Sequence, residues 1–254
     1  MLKNCDNFRD MGGIVMADGR ILKQKKVIRS GKLSRLTEPE LTFLKAYGLH
    51  DDVDFRSKAE QRHEPDRIPA GVNYHFVSVF PIDETNSTNE KWESRRNYYT
   101  DDRAALNDML EAYKDIVLED SSKKAYRTFF DVLLANTKDD ESVLFHCSAG
   151  KDRTGMGAVY LLTALGADKK TIRQDYLASN QYLKAQQIKD HQEAQPKGAI
   201  FTQNIDYLGM VSEQYLDHAL AVMQKEYGTV AQYLASELQL TKAQQKDLRQ
   251  LYLK

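Results

Sequence analysis

The sequence predicts an α/β layer fold, on three observations. Every strand candidate lies before Cys147, helix-start signals fill the chain after it, and a short apolar strand at 142–146 runs through one loop into a helix. No solenoid repeat and no low-complexity tract interrupts the 254 residues, so a single domain spanning 1–254 is expected.

Taken in order, the Asp18-Gly19 pair within VMADGRILK marks a tight hairpin turn, and the apolar pair Val27-Ile28 follows it. Thr37-Glu38-Pro39-Glu40 has the form of a capping box, and Gly48 stands where the helix it opens should stop. Strands are expected at 51–55 and 72–79. Residues 84–120 then turn polar and charged, as in ETNSTNEKWESRRNYY, which reads as a lid insertion. Within it Leu106, Met109, Leu110, Tyr113, Ile116 and Val117 recur at helical spacing, so this stretch carries an amphipathic helix. Further helices are expected at 124–134 and from Thr154 to Gly166, then after Asp168, Ser212, Thr229 and Thr241, the last with Gln244 completing a capping box. Gly155, Gly157 and Ala158 should let the 154–166 helix approach the sheet closely.

Lys and Arg number 36 against 37 Asp and Glu, a formal charge of −1, with 41% hydrophobic and 29% charged residues. These are the proportions of a soluble globular protein whose core needs neither disulfides nor a structural metal. They exclude a bulk polyanion binder, so no nucleic-acid partner is expected, while a local basic site is allowed. The opening MLKNCDNFRDMGG lacks a secretory apolar segment, and the longest apolar run, 158–162, is far too short to cross a bilayer. The two cysteines, Cys5 and Cys147, read as reduced thiols. A cytoplasmic monomer is expected, with export independent of a signal left open.

The chemistry concentrates in Cys147-Ser148-Ala149-Gly150-Lys151-Asp152-Arg153, between the strand at 142–146 and the next helix. Such a loop can curl so that Ser148, Ala149, Gly150 and Lys151 turn their backbone amides inward and cradle an anion. Gly150 supplies backbone freedom, the helix dipole adds positive potential, and Arg153 offers a planar fork matched to two phosphate oxygens. A thiol in that field is expected to fall from about 8.5 to roughly 3.5–7.5, which would make Cys147 a thiolate nucleophile. Attack on phosphorus would form a phosphocysteine, which water then hydrolyses. Thr154 is placed to donate to the departing sulfur, and His146 to brace the loop through backbone carbonyls. No metal-ligand spacing and no cofactor motif is present, so neither a metal nor a cofactor is expected.

The leaving oxygen needs a proton, and three carboxyl groups are candidates: Asp152 in the loop itself, then Asp54 in Val53-Asp54-Phe55-Arg56-Ser57, then Asp83. Arg56 is a candidate substrate-binding cation, with a structural Asp54–Arg56 ion pair as the alternative for both residues. Arg9 and Asp10 read as a buried pair. Cys5 reads as an ordinary thiol.

The stretch from His146 to Gly155, with Asn7-Phe8-Arg9-Asp10-Met11-Gly12-Gly13, Arg29-Ser30-Gly31 and Asp54-Phe55-Arg56-Ser57, resembles the atypical bacterial protein tyrosine phosphatases along essentially the whole chain. The resemblance implies a tyrosine-phosphatase-like central sheet flanked by helices, with a helical lid insertion and a helical C-terminal part. It implies action on phosphotyrosine, with phosphoserine, phosphothreonine and phosphoinositides as further substrates. Lys151 and Asp152 stand where phosphoinositide phosphatases carry a Lys and an Asp, which keeps a lipid substrate as the alternative. The mobile Trp-Pro-Asp acid of ordinary tyrosine phosphatases is absent, since Trp92 is followed by Glu93 and Ser94, and this favours Asp152 as the acid.

Overall fold

The structure is a computed structural model that describes residues 2–82 and 95–254. Asp83, Trp92 and the first part of the expected lid lie outside the described residues.

Five strands form one sheet in the order β1-β2-β5-β3-β4, from β1 (Arg9–Asp10), β2 (Val27–Ser30), β3 (Leu49–Asp54), β4 (Asn73–Phe76) and β5 (Ser142–His146). Only the β1–β2 pair is antiparallel, and the central β5 runs parallel to both its neighbours. Side chains alternate across the sheet, as the two-residue period of a strand requires, except where the β3 register shifts between Leu49 and Asp51 and turns Leu49 to the opposite face from Val53. Val27, Val53, Val143 and Phe145 join the main core, and Ile28, Leu49 and Leu144 join a smaller one beneath α1 (Glu38–Tyr47). The register sets Ser30 and Asp54 on either side of His146, so the loops leaving the carboxyl ends of β2, β3 and β5 meet at one place. Parallel α/β sheets bind ligands at such an edge.

Helices cover both faces. α1 starts at the expected Thr37–Glu40 capping box and ends at Gly48, whose φ of 99° only glycine adopts freely. A short α2 (Lys58–His63), absent from the sequence reading, begins at a second capping box between Ser57 and Glu60. The later expected starts hold: the side chains of Asp168, Ser212, Thr229 and Thr241 each accept an amide proton from three residues on. The strand expected at 72–79 is shorter, because beyond Phe76 only Val77 and Val79 still donate to the 54–55 backbone.

The described part of the 84–120 stretch holds a 3₁₀ turn at Arg96–Tyr99 and α3 (Ala104–Leu118). Eight residues of α3 are buried, among them Leu106, Met109, Tyr113 and Ile116, so this helix is a wall of the main core. The next helix, α4 (Asp120–Ala135), begins at once because Glu119 is extended and ends one helix while opening the other.

α5 (Arg153–Leu165) is the central helix, with twelve of its thirteen residues buried. A Cβ at Gly157 would stand 3.2 Å from the Phe55 ring and 3.5 Å from the Phe145 ring, so its absence brings the helix onto the sheet. After it come α6 (Lys169–Tyr182), α7 (Lys184–Ala194), α8 (Ala199–Gly209), α9 (Glu213–Glu226), α10 (Val230–Ser236) and α11 (Lys242–Tyr252). Among the described residues no helix is long and apolar enough to cross a membrane.

Candidate active site

β5 ends at His146, α5 begins at Arg153, and residues 147–152 loop between them at the meeting point of the β2 and β3 loops. Four consecutive carbonyls of this stretch are engaged by the surrounding scaffold. The His146 Nδ1 lies 3.1 Å from the Cys147 carbonyl, and the Lys32 amide donates to Ser148 at 3.0 Å. Asn7 Nδ2 donates to Ala149 at 3.2 Å and to Gly150 at 2.8 Å, and Arg29 Nη2 adds a second bond to Gly150 at 2.9 Å. No cis peptide occurs among the described residues, and a trans peptide points its N–H opposite to its carbonyl. Carbonyls held outward at 147–150 therefore aim the amides of Ser148, Ala149, Gly150 and Lys151 the other way, into the loop. Gly150 has φ +67°, and a Cβ there would lie 2.1 Å from the Ser30 carbonyl oxygen, so no other residue fits.

Arg153 is clamped by Glu60 of α2, Nη1 to Oε2 and Nη2 to Oε1, both at 2.9 Å. Ser148 Oγ also donates to Glu60. Burial works against a charge on Glu60, yet Arg153 outweighs it and holds this carboxyl far below the usual range. The bidentate geometry fixes the guanidinium plane beside the loop. Thr154 is fully buried and its Oγ1 has no hydrogen-bond partner among the described residues. Tyr126 donates to the Arg153 carbonyl at 2.8 Å, which seats the first turn of α5.

Asp152 stands at the position just before α5, its side chain makes no capping bond to the helix, and it is 4% exposed. Its Oδ1 accepts from Tyr113 of α3 at 2.9 Å, and its Oδ2 from Lys151 at 2.8 Å. Lys151 also reaches the Met210 carbonyl at 3.5 Å. Cys147 is 2% exposed, and Lys151 and Asp152 are buried with it, while Ser148 and Ala149 are half-buried.

Asp54 and Arg56 bind each other. Asp54 Oδ1 accepts from Arg56 Nε at 2.9 Å, and its Oδ2 accepts from Arg56 Nη2 at 2.8 Å and from the Tyr74 hydroxyl at 2.7 Å. Arg56 continues to Asp66 at 2.5 Å and to the Glu64 carbonyl. The pair is thus built into the scaffold under the loop. His146 lies against it, with Nε2 at 3.2 Å from Asp66, 3.3 Å from Asp52 and 3.9 Å from Asp54. Burial opposes a charge on the His146 ring, but Asp66, Asp54 and Asp52 outweigh it and raise its pKa well above the ordinary imidazole value.

Arg9 and Asp10 do not pair. Arg9 bonds Asp175 at 3.2 Å, while Asp10 accepts from the Gly12 and Lys25 amides and from Tyr47. Asp175 also binds Arg29 at 2.5 Å. Burial would raise the Asp175 carboxyl, but Arg29 and Arg9 more than compensate and lower it. Cys5 is buried, and that burial pushes its thiol up to about 12.

Glu60, Asp66, Tyr113 and Tyr176 were not singled out for the site from sequence. Only Glu60 carried a signal, the Ser57-x-x-Glu60 capping box, whose second role toward Arg153 depends on a contact 93 positions away.

The chain matches the tyrosine phosphatase family over residues 1–254. It is similar to a Cupriavidus necator protein named as a tyrosine-protein phosphatase, 32% identical over 243 residues covering 94% of this chain and 83% of the relative. It is similar to the triple specificity protein phosphatase PtpB of Mycobacterium tuberculosis, 30% identical over 256 residues and 90% of each chain. A tyrosine-protein phosphatase of Nostoc commune matches at 28% over 178 residues, 68% of this chain and 54% of that one.

Proposed function

The chain belongs to the tyrosine phosphatase family, and from there we propose that it hydrolyses phosphotyrosine in proteins, and phosphoserine and phosphothreonine as further substrates, through a phosphocysteine on Cys147. The observation that carries this reading is the run of four carbonyls at 147–150 engaged by the scaffold, which supports an anion cradle built from the amides that follow them, with Arg153 at its end.

In the first step Cys147 Sγ attacks phosphorus while the bond to the leaving oxygen breaks. The amides of Ser148, Ala149, Gly150 and Lys151, with Arg153, hold the oxygens on which charge accumulates. Asp152 gives its proton to the leaving oxygen. In the second step water attacks phosphorus, Asp152 takes the water proton, and the sulfur leaves with the Thr154 hydroxyl donating to it. Asp152 is preferred to Asp54 because it sits in the loop itself, whereas Asp54 is gripped by the Arg56 guanidinium through both of its oxygens and lies outside the loop. Arg56 then serves the scaffold, and His146 braces the Cys147 carbonyl. In this reading α3, in the described part of the 84–120 stretch, contributes Tyr113 to the wall of the site, and a substrate reaches Cys147 by displacing part of that wall.

The name of the mycobacterial relative supports including more than one phosphoamino acid in the test. Initial rates of phosphate release are measured on phosphotyrosine, phosphoserine and phosphothreonine peptides and on soluble phosphoinositides, with Cys147→Ser as the blank. Phosphotyrosine is expected to be fastest. Faster release from inositides would assign Lys151 to a multiply charged headgroup and replace this reading with a lipid phosphatase. Release that persists in Cys147→Ser would overturn the cysteine mechanism.

A further inference from the structure

Resting on the reading of Asp152 as the acid, we propose that Tyr113 is a positioning residue for it, oriented in turn by Tyr176. Tyr113 stands in the middle of α3 and is fully buried, with its hydroxyl 2.9 Å from Asp152 Oδ1 and 2.7 Å from the Tyr176 hydroxyl. A phenol has one proton to give, and an ionised carboxylate can only accept. When Asp152 carries its charge, the chain therefore runs in one direction: Tyr176 donates to Tyr113, and Tyr113 donates to Oδ1. Lys151 meets the other oxygen at 2.8 Å, so the carboxyl group is held from two sides.

The surroundings keep this chain intact. Burial first, and then the charge of Asp152, raise both phenols well above their usual value, so both keep their protons. Tyr176 has its place because Gly155 lacks a side chain: a Cβ there would lie 3.2 Å from the Tyr176 ring. The Tyr113 ring packs against Tyr215 with centroids 5.5 Å apart, and edge-on to Tyr176 at 6.4 Å. The hydroxyl is thus fixed by rings on neighbouring helices and does not depend on a mobile side chain.

The consequence falls on one half of the reaction. As the sulfur–phosphorus bond forms and the phosphorus–oxygen bond breaks, the Asp152 proton moves to the leaving oxygen and the aspartate is left negative. The Tyr113 proton does not transfer. It already points at Oδ1, so the new charge is met without rearrangement. Loss of this hydroxyl should therefore weaken turnover most where the leaving group most needs a proton.

The test compares kcat and KM for a series of aryl phosphates, from phosphotyrosine to highly acidic nitrophenols, in wild type, Tyr113→Phe, Tyr176→Phe and Asp152→Asn. Asp152→Asn is expected to lose about 10²–10⁴-fold in kcat on phosphotyrosine and far less on the acidic phenols. Tyr113→Phe should show the same trend at roughly tenfold, with KM little changed, as for one hydrogen bond to a charged group. Tyr176→Phe should follow more weakly, and it decides the matter if Tyr113→Phe fails to fold. Equal losses along the series, or no loss, in both tyrosine variants while Asp152→Asn remains graded would overturn the positioning role and leave Asp152 as the acid. A flat profile in Asp152→Asn would overturn the assignment of the acid, and the role of Tyr113 with it.

Discussion

Glu60 grips Arg153 through two bonds of 2.9 Å, and the same carboxylate closes the capping box of α2 through the Ser57 amide at 2.8 Å. One side chain thus ends a local helix signal and orients the cation of the candidate site. Glu60→Gln should keep much of the cap and lose the charge that balances Arg153. Breaking a buried pair from one side costs about 3–5 kcal/mol, so a lower melting temperature and a lower kcat/KM are both expected. An unchanged kcat/KM would show that Arg153 is oriented by other contacts.

Cys147→Ser should abolish turnover while leaving the fold intact, because the exchange is nearly isosteric. Arg153→Ala should lose both binding and rate, and because the buried Glu60 loses its guanidinium partner it should also melt earlier. Circular dichroism melts alongside phosphate release separate these two outcomes.

Gly150 offers a steric test. A methyl group at this position would overlap the Ser30 carbonyl oxygen at 2.1 Å in a backbone conformation of φ +67°. Gly150→Ala should therefore displace the loop and remove activity even though no functional group is lost. Retention of wild-type kcat would contradict the outward carrying of the loop carbonyls.

Asp54 and Arg56 should behave as scaffold. Asp54→Asn is expected to lower stability, again by up to about 3–5 kcal/mol for a disrupted buried ion pair. The enzyme that remains folded should respond to leaving-group acidity as wild type does. A selective loss on phosphotyrosine would return Asp54 to the role of acid.

His146 gives a pH dependence with a definite sign. Burial lowers its pKa, but Asp66, Asp54 and Asp52 raise it by more, so the folded value lies above the unfolded one. The stabilisation is fully present below the unfolded imidazole value of about 6.5 and is lost as pH rises through the folded value. The stability difference between wild type and His146→Asn, from urea melts, should thus shrink as pH rises above about 6.5. A difference that grows with pH would mean a neutral ring in the folded protein.

Local signals were the legible part of this fold. The strand at Ser142–His146, the Thr37, Thr229 and Thr241 caps and the Cys147–Arg153 loop could each be read because their determinants lie within a few residues. Pairings that the chain makes at a distance could not. Arg9 stands beside Asp10 in sequence but reaches Asp175, 166 positions away. Tyr113 looked like one apolar residue of a helical stripe, since nothing in its spacing indicates that its hydroxyl meets Asp152. The Asp54–Arg56 pair was foreseen as one of two alternatives, and local sequence could not choose between them because Tyr74 and Asp66 complete it.

The clasp of Asn7 on Gly150 ties a residue near the start of the chain to one 143 positions later. Ring closures of that length form late, after local helices and hairpins, because their entropy must be overcome first. Regain of turnover during refolding should therefore time the joining of Asn7 to Gly150, and it is expected to lag behind the return of helical signal.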